Sequence, residues 1–348
     1  MYSIHDEQKV KEILEENGEK KFRYAQIENA IYKNFISDFD EMNTLSKKVR
    51  EILKENFFFE SLKVDTKVTS ENGQTTKILF KTKTWEFIES VIMRHLTGRI
   101  TLCVSCQAWC PMACSFCATW KLWLLKNLEY SEIVEQIYYA AKLLNSEWTK
   151  LRNIVYMGMW EPMLNYDNVA DTIKFAIAQK KMDLANRRIT VSTCWIVPWI
   201  KRFTEDFPQS GLAISLHAPN DEIRKSIMPV DHTYPLKVLM ESLENHVNKT
   251  NKRIFYEYIM INWVNDNIKL AHELGKLLEW KLSHVNFIPY NEWEGTNSDW
   301  FKATPRFIIL KFQSILRHYW VVSTIRMTMW DDIDAACGQL ANKKEENK

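Results

Sequence analysis

The 348-residue chain predicts an α/β fold: a small helical N-terminal domain followed by a partial barrel of parallel strands, (β/α)6. Three observations carry this. From Arg99 onward, β-type runs alternate with helix-period stretches, a pattern that implies parallel strands joined by right-handed crossovers. Polar or otherwise special residues stand at the ends of five of those strand runs, where barrels gather their chemistry. One of these ends carries the run Cys110-Pro-Met-Ala-Cys114-Ser-Phe-Cys117.

The elements follow in chain order. Residues 1 to 75 read as a small helical accessory domain: His5 to Asn17 and Tyr24 to Phe35 have helix-spaced apolar residues, and a third helix opens near Thr44, the expected N-cap. Residues 76 to 98 are a β-type connecting extension with runs at Lys77 to Phe80 and Phe87 to Met93. The barrel occupies residues 99 to 340. Its strands are expected at Arg99 to Leu102, Asn153 to Met157, Arg188 to Ser192, Leu212 to Leu216, Arg253 to Ile259, His284 to Ile288 and Val321 to Ile325. Ser131 to Leu144, Tyr166 to Gln179, Pro235 to Asn248 and Asp266 to Leu278 are helical stretches among them. The charged tail, 341 to 348, is expected to be disordered.

Composition bounds the function. Seven cysteines without an N-terminal apolar signal segment argue against a disulfide-stapled secreted fold, and no apolar run is long enough to cross a bilayer. A cytoplasmic protein with no membrane partner is expected. The net charge of +2 does not by itself point to nucleic acid, and the clusters at Lys20, Lys21 and Arg23 and at Arg187 and Arg188 read as solvated surface.

A C-x3-C-x2-C run on one short loop lets three thiolates hold three irons of a 4Fe-4S cluster, leaving the fourth iron open to a ligand. The same residues admit zinc, because Cys103-Val-Ser-Cys106 and Cys114-Ser-Phe-Cys117 make two C-x2-C pairs. Only seven residues separate the pairs, fewer than the roughly 15 to 20 usual between zinc knuckles. Spacing alone leaves both open. The other strand ends add Met157-Gly-Met-Trp-Glu-Pro162, Ser192-Thr-Cys-Trp195, Ser215-Leu-His217 and Pro289-Tyr-Asn291.

Taken in order, Thr101-Leu-Cys-Val-Ser-Cys-Gln107, the cysteine loop with Phe116-Cys-Ala-Thr119, Glu161-Pro-Met-Leu-Asn-Tyr-Asp-Asn168, Ser215-Leu-His-Ala-Pro-Asn-Asp221, His284-Val-Asn-Phe-Ile-Pro-Tyr-Asn291 and Asp332-Ile-Asp-Ala-Ala-Cys-Gly-Gln-Leu340 resemble the dual-specificity RNA methyltransferases. These are radical S-adenosylmethionine (SAM) enzymes that methylate C2 of adenine in 23S ribosomal RNA and in some transfer RNAs. The resemblance covers nearly the whole chain. It implies a radical SAM barrel in which Cys110, Cys114 and Cys117 bind the 4Fe-4S cluster, while Trp160, Glu161, Ser192, Ser215, Leu216, His217 and Asn291 fall at SAM-holding positions. It further implies two SAM molecules per turnover: one methylates Cys337, and the second supplies the radical that takes a hydrogen from that methyl group. The carbon then adds to the base, Glu89 accepts the base's proton, and Cys103 releases the product through a transient disulfide with Cys337. An electron donor such as flavodoxin and a monomeric state complete the expectation.

The nearest alternative is the resistance methyltransferase that modifies C8 of the same adenine; Glu161-Pro162, His217-Ala218-Pro219 and Ile288-Pro289-Tyr290 look more like the C2 enzymes. A non-catalytic, zinc-stabilised RNA-binding protein is the alternative from another class. Cys106 and Cys194 match no required position and read as small buried hydrophobes.

The chain departs from the family at many glycine positions, which hold tryptophan here: Trp109, Trp120, Trp123, Trp160, Trp195, Trp263, Trp320 and Trp330. There are 8 glycines and 14 tryptophans in all, a glycine share near 2% against a usual share of about 7%. An indole cannot supply the backbone freedom or close approach that glycine gives such loops. The departures put the activity of this exact chain in doubt, Trp160 most of all. A one-way exchange suggests a decoding rule, in which the source reads UGA as glycine and the sequence is written with UGA as tryptophan.

Overall fold

The computed structural model describes residues 1–326 except 109, 111, 113, 118–125, 160, 195, 230–232 and 293–300. Strand β1 (Tyr2–Ser3) leads into α1 (Glu7–Glu16), which Asp6 caps by accepting the Lys9 N–H at 3.0 Å. After α2 (Phe22–Tyr32), Ser46 caps α3 (Lys47–Asn56), two residues beyond the expected Thr44, because its hydroxyl reaches the Val49 N–H. Strand β2 (Phe57–Phe58) then pairs in parallel with β1. The apolar stripe of each helix, such as Val10, Ile13 and Leu14, faces the interior. Lys33 ties this unit to the rest of the protein by donating to the carbonyls of Gln179 and Lys181 at 2.8 and 3.1 Å.

Next come three antiparallel strands, β3 (Leu62–Thr69), β4 (Thr75–Thr82) and β5 (Phe87–Arg94). Strand β3 lies inside the stretch expected to be helical. Beyond Leu62 its side chains are exposed, so hydrogen bonds to β4 hold it, and no buried alternation announces it in the sequence.

The parallel part begins at β6 (Ile100–Cys103), followed by α4 (Tyr130–Ser146), β7 (Asn153–Tyr156), α5 (Tyr166–Ile177), β8 (Ile189–Thr193), α6 (Val197–Asp206) and β9 (Gly211–Ser215). Then come α7 (Asp221–Ile227), α8 (Leu236–Thr250), β10 (Ile254–Met260), α9 (Ile268–Leu278), β11 (Ser283–Pro289), α10 (Arg306–His318) and β12 (Ser323–Ile325). Six strand-and-crossover units plus a closing strand make an open α/β barrel, in agreement with the expected class. One sheet of ten strands runs in the order β12-β11-β10-β9-β8-β7-β6-β5-β4-β3. Its two faces differ: Ile154, Leu212, Ile214, Val285 and Phe287 share one face by register and are fully buried, whereas the opposite face carries Thr190, Ser192, Ser215, Glu257 and Asn286. Cys103, at the end of β6, is in register with Val91 of β5 on one side and Val155 of β7 on the other.

Candidate functional site

The parallel strands deliver their C-terminal ends to one cavity that opens to solvent. Cys110, Cys114 and Cys117 line it from the loop after β6, Glu161 from beyond β7, Ser192 from β8, Ser215 and His217 from β9, and Glu257 from β10. The cysteine loop is pinned at its middle, where Ser115 donates its N–H to the Ile227 carbonyl at the end of α7 (3.0 Å). Cys117 N–H closes a turn on the Cys114 carbonyl at 3.0 Å.

Burial pushes the Cys110 and Cys114 thiols well above their ordinary range; the Met112 N–H opposes this at Cys110, and the Arg224 charge opposes it at Cys114. Protonated thiols in an apolar cavity are poor ligands until a metal displaces the proton. Three of them on one loop, facing open space beside Phe116 and Met112, fit three corners of an iron-sulfur cluster. The zinc alternative fares otherwise. Among the described residues no three Cys, His, Asp or Glu side chains converge closely enough to hold a single metal ion. Cys103 and Cys106 pack in the main core, away from the apolar cluster that Cys114 and Cys117 join.

Glu161 is buried and held by several donors, the Thr193 side chain among them. Its Oε1 accepts the Met163 N–H at 3.0 Å, and its Oε2 accepts the Cys194 N–H at 2.7 Å and the Cys194 thiol at 2.9 Å. Burial raises its carboxyl pKa while these bonds work against the rise. Cys194 is thus more than the small buried hydrophobe expected: it orients a carboxylate in the cavity wall. Spacing carries no sign of this, because the contact joins two different strand ends.

His217 has a left-handed backbone, φ 57°, and its Nδ1 accepts the Ile259 N–H at 3.1 Å. That bond places the ring proton on Nε2. Burial, with the Arg224 charge second, lowers its pKa to about 3, so the imidazole is neutral. Phe116 packs against it edge to face at 4.8 Å. Arg224, buried in α7, donates to the carbonyls of Leu216 (2.8 Å) and Ser215 (3.3 Å) and so fixes the end of β9.

Glu257 was not anticipated. It is 5% exposed, receives the Asn286 amide on Oε1 at 2.8 Å, and leaves Oε2 buried without a hydrogen bond. The signal was in the sequence, since a carboxylate interrupts the apolar run Ile254-Phe-Tyr-Glu-Tyr-Ile-Met260.

The remaining expected residues lie apart from the cavity or outside the described residues. Leu216 is fully buried beneath it, with its N–H on the Glu257 carbonyl at 3.0 Å. Asn291 follows β11, half-buried, and is not part of the lining. Glu89 and Cys103 are buried in the neighbouring strands β5 and β6; Glu89 has Lys77 Nζ 3.9 Å from Oε1, and its carbonyl accepts the Ser105 hydroxyl at 2.6 Å. Trp160 and Cys337 lie outside the described residues.

An open α/β barrel whose first strand feeds a three-cysteine loop into the mouth defines a radical SAM enzyme, and the profile of the radical SAM superfamily matches residues 104–274. Residues 5–58 match the ribosomal RNA large subunit methyltransferase N-terminal domain. Two curated relatives described as probable dual-specificity RNA methyltransferase RlmN are similar over nearly the full length. The Staphylococcus carnosus protein is 39% identical over 346 residues, covering 99% of this chain and 93% of the relative, and the Bacillus subtilis protein is 40% identical over 339 residues, 97% and 92%. The crystal structure of a radical SAM methyltransferase from Sphaerobacter thermophilus superposes with a TM-score of 0.93 at 37% identity, covering 98% of this chain and 99% of that one. The chain belongs to the dual-specificity RNA methyltransferase family, SAM-dependent enzymes of the radical SAM class.

Proposed function

We propose that the protein methylates C2 of an adenine in 23S ribosomal RNA and of an adenine in transfer RNA, using two SAM molecules per turnover. The observation that supports this most is the meeting of the cysteine loop with Glu161, Ser192, Ser215 and His217 on one cavity. Cys110, Cys114 and Cys117 would hold the 4Fe-4S cluster. Bound there, the cluster and SAM would supply an electron and a carbon-centred radical, which an adenine C2 of low nucleophilicity requires.

The chain's own residues do the rest. Glu161, preset by Cys194 and Met163, offers acceptor oxygens to SAM's ammonium group, and neutral His217 offers an Nε2–H donor. Trp160, Ser192, Ser215, Leu216 and Asn291 complete the set that positions SAM. Glu89 takes the proton from the base, Cys337 carries the methyl group, and Cys103 attacks to free the product, leaving a disulfide between the two thiols. A small reductant such as flavodoxin feeds the site, and the protein acts as a cytoplasmic monomer.

The test is anaerobic reconstitution with iron and sulfide, then SAM, a reductant and an RNA fragment. Expected products are 5′-deoxyadenosine and 2-methyladenosine, both absent in Cys110→Ala. Methylation mapped to C8, or zinc without acid-labile sulfide in the purified protein, would sink the reading. The assay is run in parallel on a chain with glycine at the tryptophan positions, so that a damaged loop is told apart from a wrong assignment.

A further inference from the structure

Among the described residues nine that are not glycine have positive φ, and five of them are tryptophan: Trp85 (77°), Trp148 (57°), Trp263 (63°), Trp280 (61°) and Trp320 (58°). Three of the other four are Asp183, His217 and Asn251, types that enter this region most readily. Only six tryptophans lie in the described residues. The sixth, Trp199 in α6, has no positive φ and stacks on Tyr166 at 5.0 Å. Only a few per cent of non-glycine residues have positive φ, so chance does not place five of six tryptophans there.

Three of these local settings, at 85, 148 and 320, are ones the same chain builds with glycine elsewhere. After α1, Gly18 (φ 76°) donates to Glu15 O and the next residue, Glu19, to Leu14 O. After α4, Trp148 donates to Asn145 O and Thr149 to Leu144 O; after α10, Trp320 donates to Arg317 O and Val321 to Leu316 O. These are the paired bonds of a helix ending on a left-handed residue, a glycine position. After α9 the geometry differs: Glu279 is extended (ψ 133°) and Lys281 N–H reaches the Leu278 carbonyl at 3.1 Å, which puts Trp280 at the third position of a turn that calls for positive φ and hence for glycine. The hairpin between β5 and β6 turns on Gly98 (φ 76°), with Gly98 N–H on His95 O and His95 N–H on Arg99 O. The hairpin between β4 and β5 turns on Trp85 (φ 77°), with Trp85 N–H on Thr82 O and Thr82 N–H on Glu86 O.

The indoles compensate little: Lys81 Nζ stands over the Trp85 ring at 3.6 Å, an exposed cation–π contact. All five are 71 to 97% exposed and belong to no core cluster. Nor do they form one platform for stacking RNA bases: Trp148, Trp280 and Trp320 end crossover helices, on the barrel face opposite the cavity, whereas Trp263 follows β10 on the cavity side.

We infer that the working protein carries glycine at 85, 148, 263, 280 and 320, with one rule behind all five: a UGA codon read as glycine in the source cell. The backbone angles reach this without reference to any relative, and they add 85, 148 and 280 to the positions that family likeness had singled out.

Two measurements test it. Tandem mass spectrometry of peptides spanning 148, 263, 280 and 320, from protein isolated from its source cells, is expected to read glycine; tryptophan there overturns the inference, as would UGG codons in the gene. Second, the chain as written is compared with Trp148→Gly, Trp280→Gly and Trp320→Gly combined, and with the three alanine exchanges combined. Alanine removes the indoles but keeps Cβ. The glycine set is expected to melt about 4 °C above the alanine set, and equal midpoints would contradict a glycine requirement at these angles. Trp199→Gly is expected to lower the midpoint.

Discussion

The bond between Cys194 and Glu161 shows how a side chain that sequence spacing dismisses can set a site. Cys194→Ala removes one of four donors to a buried carboxylate, the thiol, and leaves the Met163 and Cys194 N–H groups and the Thr193 side chain. Weakening of SAM binding by about fivefold, or about 1 kcal/mol, is expected, with Cys194→Ser restoring it. Equilibrium dialysis on the reconstituted protein measures this, and identical affinities for Ala and Ser would remove Cys194 from the binding machinery. Glu257 makes a different prediction, because its Oε2 is buried without a hydrogen bond and burial raises its carboxyl pKa against the opposing Arg326 charge and Asn286 amide. Glu257→Gln is expected to stabilise the SAM-free protein by about 1 kcal/mol while weakening SAM binding, the opposed signature of a group kept for function. A lowered melting temperature would contradict it. The cysteine loop, Glu161, Ser192, Ser215 and His217 were all legible as strand-end residues. Cys194 and Arg224 were not, since their work lies in contacts between different loops, which no local pattern encodes.

Among the elements, the parallel strands were legible because their apolar runs alternate with helix-period stretches, and the structure keeps most boundaries to within two or three residues. Strand β3 was hidden by its exposure, and the cap of α3 was placed at Thr44 because both Thr44 and Ser46 have hydroxyls. Packing between α9 and α10 was equally hidden. A Cβ built on Gly275 would stand 2.2 Å from the Tyr319 ring, so the two helices touch only because that position is bare. Gly275→Ala is therefore expected to cost about 1 to 3 kcal/mol, read as a lowered unfolding midpoint; Tyr319→Ala in the same background should recover part of it.

For the molecule as a whole, acid sensitivity follows from its buried neutral histidines, His5 of the N-terminal unit with His217 and His246 of the barrel. His5 is buried between Tyr32 and Tyr138, with Nδ1 2.9 Å from the Tyr32 hydroxyl, and burial, helped by the Lys181 charge, lowers its pKa to about 3. Unfolded, it titrates near its ordinary value of about 6.5. Its contribution is complete above that value and is lost as pH falls toward 3, amounting to about 2 kcal/mol between pH 6.5 and 5. His5→Gln should flatten this slope in denaturant titrations at several pH values; an unchanged slope would rule His5 out as its source. The same scale gives the position of Cys103 a mechanical meaning. Held in register between β5 and β7, it sits in the interior of a continuous ten-stranded sheet, where a side chain can rotate but its backbone cannot advance. Any group that reacts with the Cys103 thiol has to be brought to it, because the ladders on both sides hold its backbone in place.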